Sequence, residues 1–367
     1  MLHSVASKVE TKTADSATIR SGDRSRFARK FFLALIVLYV AMAGISLNIG
    51  ASQTSIFDLI FNQSGSSDPT RSTYARDMII IWDIRVPRMV LGSLIGAALA
   101  VSGAVLQSLF RNPLADPGLI GISAGASLGA VLVIVLGGSL GVYTSIFGIF
   151  SLPVMSFIGA LAVTLLLYRI STIEGQTSVV TMLLAGIALQ AFAFALTGVL
   201  IFLADDQQLR DLTFWSLGSL AGATWPKIWS AAPIILLSMA LLPMLAKGLN
   251  ALSFGEAAAF HMGVSVQKLK VTGICVAASA TGAAVAVSGG IGFVGIVVPH
   301  LLRLIIGPDN RFLLPSSAIL GAALLILADM IARTIVGPAE LPIGILTALI
   351  GAPFFIWLLL TKRGVTE

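Results

Sequence analysis

Charge is what this sequence has least of. Only 11% of its 367 residues are Asp, Glu, Lys or Arg, against about 25% in an ordinary soluble domain. So few charges cannot dress the surface of a water-soluble chain of this length, and that class is excluded. Cysteine is scarcer still. Cys275 is the single one, which rules out an internal disulfide framework and a cysteine-based metal cluster. The three histidines, His3, His261 and His300, are far apart, and none has a second His, Asp or Glu at a ligand spacing such as i, i+4. No resident metal or cofactor is expected. No GxxxxGK[ST] string occurs, so the chain has no phosphate-binding loop with which to hydrolyse ATP itself. A nucleophile–base pair of a membrane enzyme is missing as well.

Apolar sequence is what is plentiful: 57% of residues are hydrophobic and the mean hydropathy is +0.97. The chain reads as an all-α polytopic membrane protein. Apolar segments fall near 31–50, 87–110, 118–137, 148–168, 179–203, 228–246, 271–288, 293–306, 316–333 and 342–360. Most are long enough to cross a hydrocarbon core of about 30 Å at about 1.5 Å per helical residue. Ten crossings are predicted, in one domain over 31–360. The run at 293–306 is short and follows Ser288-Gly289-Gly290-Ile291-Gly292, so broken helix lining a cavity is expected there.

The organising stretch is Arg85 to Ala126. Two arginines flank a proline, and some twenty uncharged residues follow, rich in Gly, Ala and Ser for close helix packing. Arg111-Asn112-Pro113 then breaks the run at a membrane face. Residues 1–30 form a basic polar tail without the pattern of a cleavable signal peptide, read as disordered and cytoplasmic; 361–367 are the matching cytoplasmic C-terminus. With the tail inside, sixteen Lys and Arg lie on the inner side and seven on the outer, as the positive-inside rule requires.

An internal repeat is legible. Gly96-Ala-Ala-Leu-Ala-Val-Ser-Gly103 returns as Gly282-Ala-Ala-Val-Ala-Val-Ser-Gly289, five crossings later and hence running the opposite way, as in the inverted repeats of transporters. Two connections stand out. The outer one, 204–227, carries Phe214, Trp215 and Trp225 and predicts a short amphipathic interfacial helix. The inner one, 247–270, predicts two short helices separated near Gly263 and a docking surface for a soluble partner.

Several strings together carry a family resemblance. They are Arg85-Val-Pro-Arg88, Gly103-Ala-Val-Leu-Gln107, Arg111-Asn-Pro-Leu-Ala-Asp-Pro-Gly118, Gly121-Ile-Ser-Ala-Gly-Ala126, Gly255-Glu-Ala257, His261-Met-Gly-Val264, Gly292-Phe-Val-Gly295, Val298-Pro-His-Leu-Leu-Arg303, Ala328-Asp329, Ala332-Arg333, Glu340-Leu-Pro-Ile-Gly344 and Gly351-Ala-Pro353. Over 31–360 they resemble the FecCD family, permease subunits of ATP-binding-cassette (ABC) importers for ferric siderophores, haem and vitamin B12. The resemblance implies a type II ABC importer permease fold in the inner membrane and a homodimer with a central pathway. It also implies two ATPase subunits holding ATP-Mg below, a periplasmic binding protein above, and alternating access. The string from Leu212 to Trp225 looks most like the family's haem permeases; ferric siderophores and vitamin B12 are the next cargoes.

The resemblance also assigns roles. Arg85, Arg88 and Arg333 match positions that receive glutamates of the binding protein; lipid-anchoring arginines are the alternative. Leu252, Gly255, Glu256, His261, Met262, Gly263 and Val264 fall in the coupling helices, about 252–270, that rest on the ATPase. Asn112 and Leu114 match the cytoplasmic gate. The segment Thr177-Ser178-Val179-Val180-Thr181 matches its second half; Val179 and Val180 stand where the family's B12 permease has a small polar pair, and a one-residue shift would restore polar side chains. His300 is read as structural. Asp329 lies within a span and so is functional by default or paired with Arg333 one turn on, and Glu340 is read as a cap of the last helix. The rival class is an ion-coupled secondary transporter, which would need mid-membrane carboxylates; Asp329 alone approaches that.

Overall fold

The structure is a computed structural model, and it describes residues 24–50, 70–137, 147–174, 176–336 and 339–363. The tail up to residue 23 and the last four residues lie outside them. The described chain is almost wholly helical: α1 Ser25–Asn48, α2 Thr70–Ile79, α3 Val86–Leu109, α4 Ile122–Leu136, α5 Ser151–Ser171, α6 Val179–Leu203, α7 Asp206–Ser216, α8 Trp225–Ala240, α9 Leu242–Leu252, α10 Glu256–His261, α11 Val266–Ser288, α12 Val294–Ile306, α13 Asn310–Ala332 and α14 Ile343–Arg363. A two-residue-per-strand hairpin, β1 Thr172–Ile173 with β2 Gln176–Thr177, joins α5 to α6.

Among the described residues six helices are long and apolar enough to cross a membrane, and seven if the bent pair α8–α9 counts as one. Three more apolar helices, within α4, α12 and α14, are shorter. The 13 residues of α12 reach only about 20 Å at 1.5 Å per residue. Helix α1 begins at Ser25, so the last residues of the expected tail belong to it. Likewise α14 runs on to Arg363. The expected second coupling helix is not separate: 266–270 is the first turn of α11, continuous with the span above it.

Helices α3 and α11 form the inner pair. Buried residues make up 78% of each apolar stretch, against 17% for α6 and 11% for α1, which leave their side chains on the periphery. Small residues allow this. An added Cβ at Gly103 would stand 1.9 Å from Gly295 O, and one at Gly96 would stand 2.2 Å from Gly321 O. At these points α12 and α13 press backbone against α3, which is the association mode available where apolar surface gains nothing by leaving lipid. Ser102 Oγ donates to Ala277 O (3.1 Å), while Gly273 faces Val105 and Leu109. Hence α3 and α11 lie antiparallel, and the two copies of the repeated octapeptide run in opposite directions. Besides each other, α3 packs chiefly on α13 and α11 on α5.

Proline and glycine account for the irregular points. Pro87 offers no N–H to the carbonyl four residues back, and the helix widens into a π-turn over Ile80–Arg85 just before it. Between α11 and α12 the chain is non-helical, with Gly289 at φ +73° and Phe293 at φ +68°. Its backbone is covered by protein: Ser219 N donates to Ser288 O (2.8 Å), and Gly344 lies against Gly290 O. Irregular backbone inside a membrane protein survives only under such cover. The amphipathic helix expected in 204–227 is α7, opened by a capping box in which Asp205 Oδ1 accepts from Gln207 N and Gln208 N and Gln208 Oε1 accepts from Asp205 N.

Candidate functional site

Two polar clusters occupy opposite ends of the bundle. At the end that holds Asn48, Arg88 on α3 is 6% exposed, Asp329 on α13 is 2% and Arg333 is 9%. Arg88 Nε donates to Asp329 Oδ1 (2.8 Å), and its Nη1 donates to Glu340 Oε1 and Oε2 (2.8 and 2.9 Å). Arg333 Nε lies 3.6 Å from Asp329 Oδ2, and its Nη2 donates to Ser46 O and Oγ (2.8 and 2.7 Å). Arg85, also buried, donates to Leu47 O (2.7 Å). The three arginines expected to meet a binding protein thus sit side by side, each engaged within the chain. Asp329 lies between two guanidinium groups, which satisfies the pairing a carboxylate in lipid requires. Glu340 is a partner of Arg88, a role its place before Leu341-Pro342 did not suggest.

At the Ser25 end, the sequence turns at the place expected of a membrane face. Asn112 Oδ1 accepts from Leu114 N (3.0 Å), closing a side-chain turn. Asp116 Oδ1 caps the short 3₁₀ helix after it by accepting from Gly118 N (2.7 Å). Arg303 on α12 reaches back to α3, donating to Gln107 Oε1, Ala104 O and Ser108 Oγ. Asn250 on α9 donates to Asp309 Oδ1 (2.7 Å) and accepts from Asn310 N (2.8 Å), tying α9 to the start of α13. Burial disfavours the charged form of Asp309, yet hydrogen bonds from Arg311 and Asn250 outweigh it and hold the carboxyl below the usual range.

The expected coupling residues surround α10. Leu252 closes α9 and is buried. Gly255 takes φ +104° and Gly263 φ +82°, turning the chain into and out of the short helix. Glu256, His261 and Met262 are exposed, Gly263 follows them at the tip, and Val264 is half-buried. Phe254 and Phe260, 77% and 69% exposed, complete an apolar knob with Met262. Three large apolar side chains held out beside a charged rim are what a protein contact needs.

Behind this knob lies a cavity of about 1060 Å³ whose walls include Arg111, Ile173, Val179, Val180, Phe260 and Val266. Val179 and Val180, which begin α6, therefore share a cavity with the coupling segment. Asn112 and Leu114 occupy the turn next to Arg111. Thr177, which opens the second gate segment, is joined to the coupling region by two residues that the motifs did not single out, Gln267 and Lys270. Lys270 Nζ donates to Thr177 O (2.8 Å) and lies 2.9 Å from both oxygens of Glu256. Lys270 stands at the start of an uncharged run, where a lysine reads as an orientation signal, and nothing local marks it as buried. His300 is buried within α12. Among the described residues no group of three or more His, Cys, Asp or Glu side chains gathers to hold a metal.

Comparison with known proteins identifies the family. A model of the FecCD transport family matches residues 33–361. The hemin transport system permease protein HmuU of Yersinia pestis is 45% identical over 330 residues, covering 90% of this chain and 95% of that one. The cobalamin import system permease protein BtuC of Halobacterium salinarum is 43% identical, covering 77% of this chain and 73% of its own. Among solved structures, an inward-facing transporter described as of the metal-chelate ABC type superposes with a TM-score of 0.78 at 33% identity, covering 91% of this chain and 99% of that chain. PsaBC of Streptococcus pneumoniae, at 19% identity and a TM-score of 0.53, shares the fold.

Proposed function

Since the chain belongs to the FecCD transport family, and is thereby the non-catalytic permease subunit of an ABC importer, we propose that it carries haem from a periplasmic binding protein to the cytoplasm. The observation that carries the cargo is the 45% identity along 95% of a hemin permease. Vitamin B12 is the second reading, favoured by the BtuC relatives at 43% and 40% identity; a ferric siderophore is the third. An ion-coupled mechanism loses its candidate, because Asp329 is already neutralised by Arg88 and Arg333.

In this reading the permease crosses the inner membrane ten times. The six long helices, the bent α8–α9 pair and the three shorter apolar helices supply the ten segments, the shorter ones kept from lipid by their neighbours. The antiparallel octapeptides on α3 and α11 mark an inverted repeat, and α3 on α13 then corresponds to α11 on α5. Both termini are cytoplasmic, so the α10 knob faces the cytoplasm and receives an ATPase carrying ATP-Mg. The chain works as a homodimer, with α6, apolar and exposed along most of its length, available to the second copy.

The Arg85, Arg88 and Arg333 cluster then faces the binding protein. Docking proceeds by exchange, with acidic groups of the binding protein replacing the half-exposed Glu340 on Arg88. The gate at the other end is formed by Asn112 and Leu114 on one segment and Val179 and Val180 on the other. Proteoliposomes holding the permease, its ATPase and its binding protein test the cargo. ATP-driven accumulation of haem, with none of cobalamin or a ferric hydroxamate, is expected. Accumulation of either rival in preference to haem rejects the assignment.

A further inference from the structure

The coupling segment and the gate hairpin are physically joined, and the join passes through one buried lysine. Lys270 is 5% exposed and sits one turn into α11. Its ammonium has three N–H donors and no acceptor. One goes to Thr177 O, 2.8 Å away on β2, and Glu256, the first residue of α10, takes up the charge at 2.9 Å. Gln267, one turn earlier on α11, clamps the same threonine. Its Nε2 donates to Thr177 Oγ1 (2.8 Å) and to Tyr168 Oη (3.1 Å), while its Oε1 accepts from Thr177 N (3.2 Å). The backbone N–H, the carbonyl and the hydroxyl of Thr177 are therefore all held from α11. Thr177 itself is buried, and Thr172 Oγ1 pairs with its hydroxyl oxygen at 2.9 Å. The next residue, Ser178, is the N-cap of α6, its Oγ accepting from Thr181 N. From α10 to the first turn of α6 there is thus an unbroken line: Glu256, Lys270, Thr177, Ser178.

Building on the importer reading above, we propose that Lys270, with Gln267, is the positioning element that transmits movement of α10 to the Val179–Val180 gate. The buried ammonium cannot lose Glu256 without leaving an uncompensated charge, nor Thr177 O without leaving a buried donor unsatisfied, so displacement of Glu256 drags Lys270 and Thr177 with it. Hydrogen bonds weaken steeply with misalignment, and three of them on one residue leave the hairpin little freedom of its own. The apolar wall of the cavity behind Phe260 could slide; this polar line cannot.

The test uses the full permease–ATPase complex in lipid nanodiscs, with Cys275→Ser and Val180→Cys introduced. A membrane-impermeant maleimide is added with and without Mg-ATP. In the parent complex the labelling rate should change at least fivefold on adding Mg-ATP. With Lys270→Met, the labelling response per bound ATPase should fall below twofold. Gln267→Met, which buries no charge, should reduce the response in the same direction by a smaller factor. Should Lys270→Met fail to assemble, Gln267→Met decides. A full labelling response in the variants that assemble overturns the proposal, as does loss of response only in proportion to lost ATPase binding. If the parent complex itself shows no response to Mg-ATP, the ATP-driven importer reading fails, and this proposal with it.

Discussion

Asp329→Ala is the most informative single change at the Asn48 end. It removes a carboxylate that is 2% exposed and touches two arginines, at 2.8 Å and 3.6 Å. Breaking a buried ion pair from one side costs about 3–5 kcal/mol, because the abandoned charge stays buried. Here part of the loss is offset. Glu340 still holds Arg88 Nη1, and Ser46 still holds Arg333 Nη2. The low end, about 3 kcal/mol, is therefore expected, close to a hundredfold in the folding equilibrium at about 1.4 kcal/mol per tenfold. Unfolding in mixed micelles of rising dodecyl sulfate fraction, followed by helical circular dichroism, reads the shift. Pairing the change with Arg88→Met removes one of the two stranded cations, so the double variant should lose less than the sum of the single losses, by about 0.5–3 kcal/mol. A loss under about 0.5 kcal/mol for Asp329→Ala, the size of an ordinary surface change, or strict additivity in the pair, would refute the reasoning.

Other changes separate the remaining contacts. Glu340 is 40% exposed in its side chain, so Glu340→Ala should cost no more than about 1 kcal/mol; by freeing Arg88 it should tighten binding-protein association at low ionic strength, measured by titration in 20 to 300 mM salt (about that range spans strong to weak screening). Gly103→Ala puts a carbon 1.9 Å from Gly295 O, about 1.5 Å inside ordinary contact, and should cost at least about 1–3 kcal/mol. Gly44→Ala, which meets nothing within 4 Å, is its neutral control in the same micelle titration. Asp309 has a depressed carboxyl pKa, so its contribution is complete above the unfolded value of about 3.9 and is lost as pH falls through the lower folded value. The stability gap between the parent and Asp309→Asn should accordingly shrink below about pH 4; a gap that stays constant down to pH 2 removes the basis for that assignment.

Much of the architecture could be read in the chain because lipid imposes a one-dimensional rule. Uncharged runs must be helices, and polar breaks such as Arg111-Asn112-Pro113 must lie at faces, so the helices sit close to the predicted positions. The family was legible for a similar reason, since its motifs are short contiguous strings and the family model covers 33–361. Partnership was not. Arg88 and Glu340 are 252 residues apart and Lys270 and Thr177 are 93 apart, and no local pattern records which distant charge or carbonyl a side chain will face. An arginine at a helix end reads the same whether it snorkels, docks or is buried; only the packing of α13 against α3 placed Asp329 beside Arg88. In the same way the start of α11 reads as a second coupling helix, because a membrane boundary cannot be seen in residues 266–270 until the turn is found continuous with the span. Hydrophobicity along the chain thus determined what crosses and where it turns, whereas the meeting of charges in a low-dielectric interior, where an unpaired one is costly, was decided by the fold alone.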